Sequence, residues 1–271
     1  MQHRGIKAMV HATERVIGRR RLAKLARLVN NEVRLDGEND MAYNGEAIVQ
    51  KVARRYADAV VLDVGSHYGE WSESLLSQPG SGVTLHAFEP SAYSAAKARD
   101  VIGDRGEVHQ FALSDTSGPG SLLIVHEGAG SNSVVPFTEI GRASGETEEI
   151  TFSTVDEFCT NQGIDRVSLL KIDAEGHDLA VLRGATEMLR NHAIDLVQFE
   201  YNLRWIDARV FVLDAFQLLE AYGYKLGKVT PQGIETYEEW HYELEKFVEC
   251  NYLAYLPERE CDLPTIPWWG G

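Results

Sequence analysis

The sequence predicts an α/β fold of the Rossmann-like type, in which a seven-stranded, mostly parallel sheet carries helices on both faces. From residue 60 onward, short β-rich runs alternate with helical segments, which is typical of a parallel sheet. The first of these runs also leads into a glycine-containing loop directly before a helix. With 271 residues, of which 44% are hydrophobic, the chain is long enough to bury the core of one such domain.

The apolar runs give the expected order of elements. Strands are predicted at 60–64, 83–88, 108–112, 167–172, 194–200, 224–229 and 248–255. Helices are predicted at 70–77, 92–101, 178–191 and about 208–222. A Gly- and Ser-rich stretch, 114–150, is expected to be an irregular loop that contains one apolar run at 122–125. The tail at 264–271 is expected to be either a docked cap or loose.

Residues 1–44 are expected to form a basic helical N-terminal extension, followed by a single domain at 45–271. Residues 8–29 are predicted to be one helix with interleaved apolar and basic side chains. Residues 1–29 carry eight Lys or Arg against one acidic residue, so the remainder of a chain with net charge -15 carries -22. This helix suits peripheral contact with an anionic membrane, or packing on the acidic domain or on a second subunit, as in a homodimer.

The composition argues against several classes of protein. An acidic domain repels polyanions, so nucleic acid is not expected as the substrate, and a small neutral or cationic molecule fits better. Three cysteines at no metal-ligand spacing indicate neither a disulfide framework nor a zinc site. Neither a membrane-spanning run nor a signal peptide is recognised, so a cytoplasmic location is expected.

The clearest local motif is VVLDVGSHYG, in which a strand ends near Asp63 and the chain then passes Gly65 and Gly69 before a helix. Glycine lets the backbone turn tightly and approach a ligand, and the helix N-terminus adds free N–H groups. The dinucleotide fingerprint needs three glycines spaced G-x-G-x-x-G, whereas this loop has two, so a pyrophosphate cofactor is disfavoured.

Two further strand ends suit an adenosine-bearing ligand. HAFEP leaves Glu89 where a carboxylate can accept hydrogen bonds from both ribose hydroxyls, and FALSD presents Ser114 and Asp115 where the adenine would lie. Alternatively, Asp63 and Glu89 are exposed acids at strand ends, and Asp115 only forms a turn.

The segment VSLLKIDAEGHDLAVLRGA brings Lys171, Asp173, Glu175 and His177 to the end of a buried strand. Ligands of open parallel sheets bind outside the carboxyl ends of the strands, so this cluster should share one pocket with the glycine loop. Asp178 is expected to be the N-cap of the following helix.

The motifs DVGSHYG, FEP, LLKIDAEGHDLAVLRGA and FEYN resemble those of the FkbM-type methyltransferases, which belong to the class I S-adenosylmethionine-dependent superfamily. The resemblance spans roughly residues 45–256. It implies methyl transfer from S-adenosylmethionine to a hydroxyl of a sugar or a polyketide-type natural product. The family usually has Asn at the position of His67, so a contact to the amino-acid end of the cofactor is expected to differ.

The resemblance and the strand-end argument together give the candidate site residues. Those expected to bind the cofactor are Asp63, Gly65, His67, Tyr68, Gly69, Glu89, Pro90, Ser114, Asp115 and Asp173. Those expected to contact the acceptor are Ser131, Asn132, Glu175, Glu200 and Asn202.

A hydroxyl is a poor nucleophile until a base takes its proton, so His177 is the candidate base and Asp173 is expected to orient it or the acceptor. Alternatively, His177 only caps the strand-to-helix turn. Asp173, Glu175, His177 and Glu200 include donors that suit Mg²⁺, but nothing in their spacing requires an ion, so full activity in excess chelator is expected.

Three rival functions remain open from the sequence. The acceptor atom could be a nitrogen or a carboxylate oxygen, where an amine would need no strong base. The chain could bind the cofactor without turnover, as a non-catalytic module. A nicotinamide-dependent dehydrogenase is disfavoured by the two-glycine loop.

Overall fold

The computed structural model of the chain describes residues 2–37, 40–80, 82–136 and 146–268. It divides the chain into two compact units, 1–38 and 39–271. This division lies a few residues before the boundary predicted at residue 44, which stays a prediction.

The N-terminal unit contains two helices, α1 (Gln2–Ile17) and α2 (Arg19–Arg34), where the sequence predicted one. Gly18 separates them with a φ of 82°, a backbone conformation that is not helical. Both helices expose apolar side chains, including Val16 and Val33. Among the described residues, no helix is both long and apolar enough to cross a membrane. The membrane-surface and second-subunit contacts stay predictions.

The main unit is built on a mixed sheet with a parallel core. Its strands are β1 (Ala59–Val64), β2 (Val83–Phe88), β3 (Glu107–His109), β7 (Val167–Ile172), β8 (Ile194–Tyr201), β9 (Lys225–Thr230), β10 (Gly233–Thr236), β11 (Cys250–Tyr255) and β12 (Thr265–Pro267). Within the described residues the sheet thus has nine strands, in the order β12-β10-β9-β11-β8-β7-β1-β2-β3. Strands β1, β2, β3, β7 and β8 run parallel to one another, whereas β11 pairs antiparallel with both β8 and β9, and β9 pairs antiparallel with β10.

The predicted α/β class with a mostly parallel sheet is confirmed, but the predicted count of seven strands is wrong. Strands β10 and β12 were not predicted, because each is only a few residues long. β12 pairs with β10, so this part of the C-terminal tail is docked. The Trp268 ring also contacts Tyr237, whereas residues 269–271 lie outside the described residues.

The stretch expected to be an irregular loop contains most of a second sheet. Strands β4 (Ala112–Leu113), β6 (Glu146–Ser153) and β5 (Gly118–Ile124) form a three-stranded sheet in that order. The central strand β6 pairs antiparallel with β5 and parallel with β4. Residues 137–145 lie outside the described part. The third predicted strand, 108–112, is correspondingly divided between β3 and β4.

The remaining helices cover the sheet and connect its strands. They are α3 (Glu46–Ala53), α4 (Glu70–Ser77), α5 (Ala92–Ile102), α6 (Val155–Gln162), α7 (Asp178–Arg183), α8 (Thr186–Arg190), α9 (Arg204–Ala208) and α10 (Val212–Glu220). The predicted helices at 178–191 and 208–222 are therefore each wrong in extent. The first is two helices divided near Gly184, where a Cβ atom would lie 1.9 Å from the carbonyl oxygen of Ser114.

The N-cap assignment of Asp178 is also wrong. The N-cap residue of α7 is His177, and Asp178 is the first residue of the helix. Its buried carboxylate accepts hydrogen bonds from the backbone N–H groups of Ala174 and Gly176. Asp178 therefore holds the turn that precedes α7, because these N–H groups would otherwise lack partners.

Candidate active site

A cavity of about 350 Å³ lies at the carboxyl ends of β1, β2 and β7, where ligands of open α/β sheets bind. Its size is typical of a small-molecule site. The residues lining it are Met41, Glu46, Val64, Gly65, Ser66, His67, Glu70, Trp71, Phe88, Glu89, Pro90, Ser94, Ala112, Leu113, Leu122, Ala129, Gly130, Asn132, Ser133, Val134, Lys171, Asp173, Ala174, Glu175 and His177.

The glycine loop passes directly against the end of β7. Gly65 has a φ of 74°, and a Cβ atom on it would lie 1.8 Å from the carbonyl oxygen of Asp173. Its N–H donates to the carbonyl of Phe88, 3.0 Å away, so the loop is tied to both neighbouring strands. Only glycine can adopt this φ and also come this close to the Asp173 carbonyl. The loop therefore lies against the end of β7 and does not fill the cavity.

Glu89 ties the glycine loop to the end of β2. One carboxylate oxygen accepts from the backbone N–H of His67 at 3.0 Å, and the other accepts from the N–H of Ser91 at 2.9 Å. Burial, partly offset by these hydrogen bonds, raises the pKa of Glu89 to about 7. Glu89 lines the cavity, and in its ionised form each oxygen retains a lone pair for a further hydrogen bond.

Lys171 is held in a buried ionic cluster below the cavity. Its ammonium lies 3.1 Å from a carboxylate oxygen of Asp63 and 3.6 Å from one of Asp173. Burial alone would lower the pKa of Lys171, but Asp63, Asp173 and Glu46 more than offset this and hold it above its usual value. The second oxygen of Asp63 accepts from the hydroxyl of Ser72 at 2.6 Å.

The predicted roles of Asp63 and Asp173 differ in their support. The Asp63 side chain is fully buried and is not among the described lining residues of the cavity, so its position favours holding Lys171 over contacting a ligand. Asp173 lines the cavity and its side chain is 40% exposed.

His177 lines the cavity from the N-cap position of α7. Its Nε2 lies 2.8 Å from the hydroxyl oxygen of Ser114, which lies 3.2 Å from a carboxylate oxygen of Asp115. Burial lowers the pKa of His177, which keeps the ring neutral at neutral pH. If Ser114 donates to Asp115, then His177 donates from Nε2 and keeps the lone pair of Nδ1 for a proton.

This arrangement changes the expected partner of the candidate base. Asp173 was expected to orient His177 or the acceptor, whereas the side chain that is hydrogen-bonded to the His177 ring is that of Ser114. Ser114 and Asp115 were expected to bind the adenine, but neither belongs to the described lining residues, and Asp115 is exposed. Their adenine-binding role stays a prediction.

The residues expected to contact the acceptor lie in two places. Asn132 and Glu175 line the cavity, whereas Ser131 is exposed and lies outside the described lining. Glu200 and Asn202 lie in an adjoining cleft that shares Glu175 with the cavity. In this cleft the amide of Asn202 donates a hydrogen bond to the carboxylate of Glu200, so each of these two side chains already has one hydrogen-bond partner.

Glu175 stands between the cavity and this cleft. It has a φ of 51°, and its carboxylate lies 3.6 Å from the guanidinium of Arg204. Burial, and then the charge of Asp173, raise the pKa of Glu175 to about 8, although Arg204 acts in the opposite direction. Burial also raises the pKa of Glu200 well above its usual range.

His67 and Tyr68 connect the glycine loop with the segment after β5. The Nε2 of His67 and the hydroxyl of Tyr68 lie 3.1 Å and 2.9 Å from the same carbonyl oxygen, that of Gly128. The His67 backbone has a φ of 49°, a region in which Asn is more common than His. The expected change in a cofactor contact at this position stays a prediction.

Sequence reasoning missed several cavity residues. Glu46 and Trp71 lie on α3 and α4, outside the motifs, and the amide of Gln198 donates to the buried carboxylate of Glu46. Lys171 was expected in the shared pocket, where it does line the cavity, but it was given no binding or catalytic role. Its position near the end of a buried apolar strand was the available clue, since a buried lysine requires an acidic partner.

The four residues considered as Mg²⁺ ligands do not form a metal-ligand cluster in the described part of the chain. The group that does is His86, Glu107 and His109, outside the cavity.

Comparisons with known proteins place this site within a family. Residues 63–226 match the family model described as "Methyltransferase FkbM domain". The 2-O-methyltransferase NoeI of Sinorhizobium fredii is 25% identical to the chain over 148 residues, which are 49% of this chain. The chain spans 59% of the length of that relative.

Two solved structures are similar at lower identity. A crystal structure of methyltransferase FkbM from Methylobacillus flagellatus KT is 16% identical, with a TM-score of 0.48 over 74% of this chain and 44% of that chain. A fibrillarin from Aeropyrum pernix, in complex with natively bound S-adenosyl-L-methionine, is 12% identical, with a TM-score of 0.40 over 77% of this chain and 73% of that chain.

Proposed function

The chain belongs to the FkbM-domain methyltransferases, and we propose that it transfers a methyl group from S-adenosylmethionine to a hydroxyl oxygen of a small acceptor. S-adenosylmethionine supplies the electrophilic methyl group when it is bound. The chain must then bind this cofactor, orient the acceptor and accept the proton of the hydroxyl.

The charge of the cavity is the observation that supports the cofactor. Among its described lining residues, the carboxylic acids are Glu46, Glu70, Glu89, Asp173 and Glu175, and Lys171 is the single lysine or arginine. The Lys171 ammonium is already paired with Asp63 and Asp173. Burial raises the pKa of Glu46, Glu89 and Glu175, so these three acids carry only part of their possible charge. Even so, the described lining has no unpaired lysine or arginine for a diphosphate, and its carboxylates can attract a cationic sulfonium. It therefore favours S-adenosylmethionine over a nicotinamide dinucleotide.

Residues in and next to the glycine loop fit the adenosine part of this cofactor. Glu89 faces the cavity with lone pairs suited to the two ribose hydroxyls, while its backbone partners His67 and Ser91 fix its orientation. Gly65 places no side chain at the point where the loop passes the end of β7, and Pro90 lines the cavity next to Glu89.

Proton removal is assigned to His177. The ring is neutral, it lines the cavity, and its Nε2 is fixed by Ser114, which leaves Nδ1 as the proton acceptor. Asp173, partly exposed in the same cavity, is suited to orient the acceptor hydroxyl. We expect no metal ion at the reacting groups, so added Mg²⁺ should not be required for turnover.

A sugar or a natural product with a free hydroxyl is the acceptor class we propose. The relative NoeI is named a 2-O-methyltransferase, which supports an oxygen acceptor. Asn132, Glu175 and the adjoining cleft with Glu200 and Asn202 offer hydrogen-bonding groups suited to a polyhydroxylated molecule.

The first test is isothermal titration of the protein with S-adenosylmethionine, S-adenosylhomocysteine and NAD. We expect the first two to bind and NAD not to bind. Glu89→Gln should weaken both at least tenfold, since one acceptor oxygen becomes a donor. Glu149→Gln is the matched control, because Glu149 is exposed on β6, and it should leave binding unchanged.

Transfer of an isotopically labelled methyl group to a panel of glycosides, amines and carboxylic acids then tests the acceptor. Methylated glycoside hydroxyls would support the proposal. Products methylated only on nitrogen or on a carboxylate would replace the hydroxyl acceptor, and binding of NAD alone would overturn the cofactor.

A further inference from the structure

A buried and a half-buried histidine face each other on neighbouring strands, outside the cavity. His86 lies on β2 and His109 on β3, and the parallel register sets His86 opposite Glu107. The Nδ1 of His86 lies 3.1 Å from the Nε2 of His109. A carboxylate oxygen of Glu107 lies 3.7 Å and 3.8 Å from these two nitrogens.

We propose that His86, His109 and Glu107 bind one divalent transition-metal ion of the Zn²⁺ class. Imidazole nitrogens and a carboxylate oxygen are ligands that such ions prefer. At Zn–N distances of about 2.0–2.1 Å, two nitrogens 3.1 Å apart subtend an angle of roughly 100° at the ion, which is close to tetrahedral.

The third ligand has the freedom that this geometry needs. The side chain of Glu107 is 68% exposed, so it is free to rotate. A rotation can move its carboxylate oxygen over the few tenths of an ångström to a tetrahedral ligand position. Because Glu107 is exposed, an ion can reach the cluster from solvent on this side. A water molecule would complete a four-coordinate site.

The neighbouring side chains affect how strongly His86 and His109 would bind a metal. The ring of Phe158 lies 5.2 Å from that of His86 and 5.0 Å from that of His109, so the pair has an apolar wall. Burial lowers the pKa of both histidines, which favours the neutral rings that ligate metals, and the ion would replace the hydrogen bond between their facing nitrogens. The positive charge of Arg99 acts on His109 and opposes a cation, whereas the charge of Glu107 favours it.

The proposed ion would stabilise the wall of the cofactor cavity. The His109 ring stacks on that of Phe88 at 5.0 Å, and the carbonyl of His109 accepts from the N–H of Glu89 at 3.1 Å. Phe88 and Glu89 both line the cavity. A metal that joins β2 to β3 therefore fixes the strand end that carries Glu89, although it lies outside the reacting centre.

The test is titration of tag-free, chelator-treated full-length protein with Zn²⁺ alone, followed by calorimetry and by the melting temperature. We expect one Zn²⁺ per chain and a higher melting temperature with the ion. Binding should fall at least tenfold in His86→Gln and in His109→Gln, and by less in Glu107→Gln. His192→Gln is the matched control, because His192 is exposed and lies outside this cluster.

The proposal is overturned if no Zn²⁺ binds or if the two histidine variants bind as tightly as the wild type. Should either histidine variant fail to fold, X-ray absorption of the Zn²⁺-loaded wild type decides. Two imidazole ligands with at least one oxygen support the site, and fewer than two imidazoles contradict it. None of these readouts uses methyl transfer, so the outcome is independent of the proposed function.

Discussion

The ammonium of Lys171 lies 3.1 Å from a carboxylate oxygen of Asp63, and both side chains are almost completely buried. This pair joins the middle of the sheet, since β1 and β7 are neighbours with Asp63 in register with Lys171. The cluster lies directly below the cavity, because Lys171 and Asp173 line it. Removing Lys171 alone would thus leave the buried carboxylate of Asp63 without its cation.

Lys171→Met should therefore destabilise the protein by about 3–5 kcal/mol, the range for breaking one partner of a buried ion pair. Chemical denaturation followed by circular dichroism measures this loss. Lys225→Met is the matched control, because Lys225 forms an exposed pair with Glu260 at 2.8 Å and should cost less than about 1 kcal/mol. Adding Asp63→Asn to Lys171→Met should recover part of the stability. A loss no larger than that of the control would contradict the buried pair.

Gly65→Ala should weaken cofactor binding at least tenfold and also lower stability. A left-handed alanine alone costs about 1–2 kcal/mol. Here its Cβ would also lie 1.8 Å from the carbonyl of Asp173, so the loop must move away from β7. Gly163→Ala provides the control, since Gly163 has a similar φ of 66° and no atom within 4 Å of the added Cβ. Titration with S-adenosylmethionine should show at least a tenfold loss in the first variant and none in the second.

The central part of the fold could be predicted because apolar strands and glycine loops are local patterns. Strand 83–88 and helix 70–77 have the predicted bounds, since each is a short run with clear breakers. The second sheet could not be predicted in this way. β5 reads GPGSLLI, a sequence of low β propensity, and it is stabilised by pairing with β6 rather than by its own pattern.

The candidate site was predictable to the extent that it lies at strand ends. Glu89 and His177 line the cavity because the carboxyl ends of parallel strands meet at one edge. The partner of His177 could not be found from its own motif, since Ser114 is 63 residues away. The same limit applies to His86 and His109, which only the pairing of β2 with β3 brings together.

Removal of the proposed base should affect turnover and not cofactor binding. His177→Ala should lower kcat by roughly 10²–10⁴-fold, the usual contribution of a general base. Because burial lowers the pKa of His177 from its usual 6.5, the ring is neutral at pH 7 and becomes protonated only at lower pH. The wild-type rate should thus be constant near pH 7 and fall with acidification, and the variant should lack this acidic limb. His192→Ala serves as the control, and activity of His177→Ala within a few-fold of wild type would reject the assignment.

Glu175 should make the protein more stable in mild acid than in base. Its pKa is raised to about 8 in the folded chain, from 4.5 as an ordinary glutamate, chiefly by burial. Between these values the folded state binds more protons than the unfolded state, so stability falls as pH rises through this window. Glu175→Gln cannot titrate. It should therefore flatten this decline and raise the melting temperature at pH 8.5 by at least about 3 °C, with little change at pH 5. Thermal unfolding from pH 5 to 8.5 measures both curves, with Glu149→Gln as the exposed control. A pH dependence identical in wild type and Glu175→Gln would show that Glu175 ionises in the folded protein as it does in the unfolded chain.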